Sequence, residues 1–214
     1  MKQPFDLSLY LVLDPDLCRL HSMVETARAA VAGGVTAVQV RHKRASTAER
    51  IALARDIKAA LRDTKALIVM NDDIEAAVEA GVDAVHIGQR DMSPALARER
   101  IGPDMLLGLS VNTESAARAI DPGVVDYAGI GPVFATPTKP DHEQPLGFAG
   151  LAHVVAACPV PAVAIGGLKR QHVSDVFAAG AHGLAVVSAI CGMPDPRESA
   201  TAMWIAIRQA RNGL

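Results

Sequence analysis

Along the chain, short apolar runs rich in β-branched residues alternate with longer, alanine-rich stretches whose apolar positions recur every three or four residues. The short runs predict strands at Leu9–Leu13, Ala37–Val40, Ala66–Met70, Ala84–Ile87, Leu106–Leu109, Asp126–Ile130, Ala162–Ile165 and Leu184–Val187. The amphipathic stretches between them predict helices at Met23–Ala32, Thr47–Leu61, Ile74–Ala80, Pro94–Ile101, Thr113–Ile120, Phe148–Ala157, Gln171–Ala179 and Pro196–Arg211. Strict strand–helix alternation predicts a parallel sheet, and near-continuously apolar strands predict burial on both faces. Eight such units predict an α/β fold closed into a (β/α)8 TIM barrel, a single domain over residues 1–214. An open doubly wound sheet is the rival; its early G-x-G-x-x-G fingerprint is absent.

An internal echo agrees with the alternation. Gly34-Val-Thr-Ala-Val-Gln-Val, Gly81-Val-Asp-Ala-Val-His-Ile and Gly180-Ala-His-Gly-Leu-Ala-Val share one pattern, and Gly123-Val-Val-Asp-Tyr-Ala-Gly is a looser copy. Each reads as a helix-ending glycine followed by a strand. Junctions of this kind occur throughout α/β proteins, so the echo supports alternation more than closure.

Composition narrows the function. Half of the 214 residues are hydrophobic and 21% are charged, which excludes a disordered chain. A net charge of -2 and 3% aromatic residues offer neither a basic field nor a stacking platform for nucleic acid. Cys18, Cys158 and Cys191 have no metal-like spacing and read as reduced thiols of a cytoplasmic protein. Two stretches imitate membrane segments. Leu7–Leu13 runs into Asp14-Pro15-Asp16 without a cleavage site. Residues 144–168 lack charge, but Pro159 and Pro161 break them into a helix end and a strand. No membrane partner is therefore expected.

In barrels of this kind chemistry gathers at the C-terminal strand ends. Strand two ends in Gln39-Val-Arg41-His-Lys43, an amide and two cations at alternate positions that suit a polyanion, or else a solvated basic turn. Strand three ends in Asn71-Asp72-Asp73 and strand four in His86-Ile-Gly-Gln-Arg-Asp91. Asp72 and Asp91 would meet over the barrel mouth and suit a hard cation such as Mg2+. Asp73 reads as a helix cap, Asp91 as a ligand or a cap, and His86 as a packed core histidine. Ser110 follows strand five. Thr136, Thr138 and Lys139 stand on a proline-stiffened loop after strand six. Gly166-Gly167 and Val187-Ser188 end strands seven and eight, where barrels commonly bind phosphate through backbone N–H groups. The residues alone thus describe a phosphate-handling barrel enzyme with a divalent metal and phosphorylated small-molecule substrates. They do not specify the reaction.

The set Q-V-R-H-K, N-D-D, H-I-G-Q-R-D, G-L-S-V-N-T, G-P-V-F-A-T-P-T-K, I-G-G and V-V-S-A-I, spread in order over residues 39–190, resembles the thiamine phosphate synthase family. The resemblance implies a transferase that condenses a hydroxymethylpyrimidine diphosphate with a thiazole phosphate, giving thiamine phosphate and pyrophosphate. It implies pyrimidine-diphosphate contacts at Gln39, Arg41, Lys43, Asn71, Ser110 and Lys139, and Mg2+ carboxylates at Asp72 and Asp91. It implies thiazole-phosphate contacts at Thr136, Thr138, Gly167, Val187 and Ser188. Arg41, Lys43 and Lys139 would stabilise the departing charge.

Three positions depart from the family pattern. His42 replaces a commoner acidic residue, Ala135 a common proline, and Asn112 a frequent histidine on which the related thiazole tautomerases rely. The alternatives are a phosphate-binding barrel isomerase (tautomerase or sugar-phosphate epimerase) and a non-catalytic ligand-binding relative. The long segment 133–146 is expected to act as a loop that closes over the substrates. The sequence leaves open whether the chain forms a homo-oligomer.

Overall fold

The computed structural model describes residues 5–136 and 143–213. Its eight strands are β1 (Leu9–Leu13), β2 (Ala37–Val40), β3 (Leu67–Asn71), β4 (Ala84–Ile87), β5 (Leu106–Val111), β6 (Tyr127–Ile130), β7 (Ala162–Ile165) and β8 (Gly183–Val186). All pair in parallel with their sequence neighbours, and β1 also pairs with β8, so the sheet closes into a barrel. The helices are α1 (Met23–Ala32), α2 (Thr47–Ala60), α3 (Ile74–Ala80), α4 (Pro94–Ile101), α5 (Glu114–Arg118), α6 (Gly147–Ala157), α7 (Val173–Ala178) and α8 (Pro196–Asn212).

The two-residue period of each strand sorts side chains between two cores. On β1, Leu9, Leu11 and Leu13 point outward against the helices, while Tyr10 and Val12 point into the barrel. The outer core is the larger. The barrel interior is filled by a smaller set that includes Leu7, Tyr10, Val12, Val69, Leu106, Tyr127 and Val163. Truncating a fully buried outward leucine such as Leu11 to alanine would cost about 2–5 kcal/mol.

Boundaries differ from the pattern where long-range pairing decides them. β5 runs on to Val111 because Ser110 and Val111 pair with Gly129 and Ile130. Asn71 belongs to β3 because it pairs with His86. α5 is shorter than predicted, since Thr113 is its cap, accepting a hydrogen bond from the Ala116 N–H. The charge-free stretch resolves into α6, a break at Cys158, and β7. No helix among the described residues is long and apolar enough to cross a membrane. Cys18 and Cys191 are buried, Cys158 is half-buried, and all three thiols are free.

Candidate active site

A cavity of about 570 Å3 opens at the C-terminal ends of the strands. Gln39, Arg41, Lys43, Asn71, Asp72, Asp91, Ser110, Thr136, Gly167, Val187 and Ser188 all line it. Thr138 and Lys139 lie outside the described residues. His42 and Ala135 are not among the lining residues, whereas Asn112 is.

The turn from β3 into α3 directs two consecutive aspartates apart. Asp72 adopts a left-handed backbone conformation, φ 61°, at a cost of about 1 kcal/mol. The Asp73 N–H donates to the Asn71 carbonyl (2.7 Å) and the Asp72 N–H to the His86 carbonyl (2.9 Å), which holds this turn in place. Asp73 caps α3, accepting from the Ala76 N–H at 2.9 Å, and takes a further hydrogen bond from Thr47 and an ion pair from Arg50 at 2.8 Å. Asp72 instead faces the cavity. Burial and the neighbouring Asp91 carboxylate push its pKa up to about 6, against the pull of Lys43 and Asn71. Asp91 does not cap α4, whose N-cap is Ser93. Its Oδ2 accepts from the Gly88 N–H at 2.7 Å, which fixes the carboxylate at the β4 end of the mouth.

The cations that follow the neighbouring strand β2 are held differently. Arg41 Nη1 donates to Asp14 Oδ2 at 3.1 Å, both side chains being largely buried. Asp14, at the end of β1, was not flagged by sequence reasoning; the Asp-Pro-Asp run reads as a turn. Lys43 is exposed at the rim, close enough to Asp72 to favour its ionised form.

The floor of the cavity is a chain of polar groups. Gln39 Nε2 donates to Tyr10 Oη (2.9 Å), which is 3.1 Å from Tyr127 Oη; Tyr127 is 3.2 Å from His86 Nδ1, and His86 Nε2 is 2.9 Å from Ser110 Oγ. Burial raises both phenol pKa values well above the ordinary range, so both hydroxyls stay protonated. Each hydroxyl along this chain can both donate and accept, and the His86 tautomer sets the sense of its two contacts, so Gln39 and Ser110 are linked across the floor in either proton order. Gly108 makes the crossing feasible, since a Cβ there would lie 2.3 Å from the Tyr127 ring and 2.4 Å from His86 Nδ1. His86 is therefore a wall residue of the cavity rather than a packed core histidine. Tyr10 and Tyr127 were also missed. Both lie within predicted strands, but no local pattern shows which strand face is inward or that the two meet.

The far flank is built from backbone. Gly166 and Gly167 have φ 108° and 65°, a conformation that favours glycine. They also admit the loop after β6, because a Cβ on Gly167 would meet Phe134 Cβ at 2.8 Å. That loop is tied down on both sides, by Phe134 N–H to the Gly166 carbonyl (3.0 Å) and Leu146 N–H to the Pro132 carbonyl (2.9 Å). Gln89, another residue sequence reasoning passed over, donates to the Ser110 carbonyl at 2.9 Å.

Comparison with known proteins places this arrangement. The thiamine monophosphate synthase family profile matches residues 9–190. The chain is 46% identical to the thiamine-phosphate synthase of Xanthobacter autotrophicus over 211 residues, covering 99% of this chain and 100% of the relative. It is 45% identical to that of Laribacter hongkongensis over 197 residues, covering 92% and 93%. Among solved structures, the thiamine phosphate pyrophosphorylase from Pyrococcus furiosus superposes with a TM-score of 0.86 at 31% identity, covering 95% of this chain and 96% of that one.

Proposed function

The chain belongs to the thiamine monophosphate synthase family, and from that premise we propose that it joins hydroxymethylpyrimidine diphosphate to a thiazole phosphate, forming thiamine phosphate and pyrophosphate. The observation that carries the reading is one cavity with cations and carboxylates on the β2–β4 flank and a glycine-rich β7–β8 flank. Two anionic substrates can be held there with their reacting ends over a shared polar floor.

The chemistry follows from the groups. The methylene C–O bond of the diphosphate breaks, its electron pair leaves with pyrophosphate, and the pyrimidine stabilises the resulting cation by resonance. The thiazole nitrogen then forms the new C–N bond with its own lone pair, so no protein base is required. Arg41 and Lys43 face the charge that accumulates on the departing oxygens, the usual dominant contribution to catalysis. Asp14 holds the Arg41 guanidinium in place through one nitrogen and leaves its fork of donors in the cavity wall. Gln39 and Ser110, at the two ends of the hydrogen-bonded floor, orient the pyrimidine ring. Asn71, Thr136, Gly167, Val187 and Ser188 complete the contacts, with Thr138 assigned the same role from sequence and Lys139 assigned from sequence as the third cation facing the departing oxygens. Positioning the two reactants in this way supplies several kcal/mol, on the order of what orientation gives in bimolecular reactions.

The donor set fits Mg2+. Burial and the nearby Asp91 carboxylate together raise the pKa of Asp72, and a divalent cation would relieve the repulsion between the two hard carboxylates. Asp72 and Asp91 would hold the ion, which supplies electrostatic stabilisation of the diphosphate when bound. Asn112 stands in the cavity wall where a tautomerase would use a histidine, which weighs against that alternative. The free thiols support a cytoplasmic setting.

Incubating the protein with both substrates and Mg2+ should yield pyrophosphate and thiamine phosphate in equal amounts. Turnover of neither substrate under those conditions would refute the reading.

A further inference from the structure

Every residue assigned so far to the second phosphate is neutral. Gly167, Val187 and Ser188 offer backbone N–H groups and a hydroxyl, while Arg41 is engaged with Asp14 and Lys43 faces Asp72 on the other flank. A phosphate monoester carries close to two negative charges at neutral pH, and a site for it gains most from a charge-assisted donor.

Lys169 supplies one. It lies two residues beyond Gly167 in the loop after β7, and its Nζ donates to Ser188 Oγ, in the loop after β8, at 2.9 Å. The ammonium thus bridges the two loops that frame this end of the cavity. Its backbone is anchored: the Lys169 N–H donates to His172 Nδ1 at 3.2 Å. The His172 ring packs 4.9 Å from Phe134 and 6.0 Å from Phe148, centroid to centroid. Phe134 belongs to the same loop as Thr136 and is hydrogen-bonded to the Gly166 carbonyl. The aromatic cluster therefore fixes the backbone of Lys169 relative to the loops after β6 and β7. An ammonium has three donors, and Ser188 takes one.

We propose that Lys169 is a phosphate-binding residue, the cation that recognises the phosphate monoester held between the loops after β7 and β8. This rests on the reading that the thiazole phosphate occupies that flank. Ser188 then holds the ammonium at the rim of the cavity before the ligand arrives. An anion between the loops takes one of the remaining donors without breaking the Ser188 contact.

Two measurements test this. In steady-state assays Lys169→Gln should raise the KM for thiazole phosphate about tenfold, the loss of one charge-assisted contact, with kcat and the pyrimidine KM within about twofold. Lys169→Arg should recover most of the loss, and the salt dependence of the thiazole phosphate KM should weaken in Lys169→Gln. Independently, inorganic phosphate titrated calorimetrically into the free protein should bind wild type more tightly than Lys169→Gln. Unchanged phosphate binding in the variant, no phosphate binding by the wild type, or an equal rise in both KM values would overturn the assignment. If the wild type makes no thiamine phosphate, the reading of the reaction fails, and the phosphate titration still decides the role of Lys169.

Discussion

Asp72 and Asp73 are adjacent in sequence and belong to different regions of the molecule. Asp73 turns back into the helix layer. Burial there acts to raise its pKa, but hydrogen bonds from Ala76, Arg50 and Thr47 outweigh it and hold the carboxyl below its ordinary range. Asp72 turns into the barrel mouth. There burial and Asp91 act in the same direction, and its pKa rises to about 6. The helix layer neutralises its carboxylate and gains stability from it. The mouth buries Asp72 against the Asp91 carboxylate and loses stability at that position.

The largest effect should come from removing charge at the mouth. Asp72→Asn and Asp91→Asn should each lower kcat by about 100- to 1,000-fold, the scale of losing a principal electrostatic contribution. Asp73→Asn should leave kcat within about threefold, because that side chain is not among the residues lining the cavity. Pyrophosphate release measures all three. Equal losses in Asp72→Asn and Asp73→Asn would erase the distinction between the regions.

The next effect is on stability and falls on the other member. Asp73→Ala removes the α3 cap and the partners of Arg50 and Thr47, and should cost about 2–3 kcal/mol in urea unfolding. Asp72→Asn should act oppositely. Asparagine tolerates the left-handed backbone, and the variant cannot ionise next to Asp91. It should gain about 1–2 kcal/mol at pH 7, discounted for the partial exposure of the group.

The pH dependence has a definite sign. A carboxyl whose folded pKa is raised binds its proton more tightly in the native state. The Asp72 contribution therefore lowers stability as pH rises from about 4 to about 6, and the penalty is complete above that window. The stability gain of Asp72→Asn over wild type should accordingly vanish below about pH 4. A gain independent of pH would trace the effect to backbone strain instead of charge. The smallest effect should be Thr47→Val, which removes one hydrogen bond from Asp73 and should cost about 0.5–1.5 kcal/mol without touching turnover.

The same contrast separates what could be read from the chain from what could not. Strand positions were legible as short apolar runs rich in β-branched residues, and helix positions because side-chain direction repeats about every 3.6 residues. The reading of Asp73 as a cap needed only its place before α3. Of the thirteen residues given substrate or metal contacts by the resemblance, eleven line one cavity, and the other two, Thr138 and Lys139, lie outside the described residues.

What the list could not contain was which groups meet. Tyr10 and Tyr127 are 117 residues apart, and Asp14 and Arg41 come together only where β1 and β2 pair. Lys169 finds Ser188 across two neighbouring loops. Closure of the sheet brings these pairs together, and no local period encodes it. The sequence by itself determined the elements, their faces and the residue types at each strand end, because those follow from local geometry. The tertiary structure alone decided that Asp72 is crowded by Asp91 while Asp73 is satisfied by Arg50. The pKa of a carboxylate depends on charges and hydrogen-bond donors a few ångströms away in space, and at the mouth of a barrel those come from other strands.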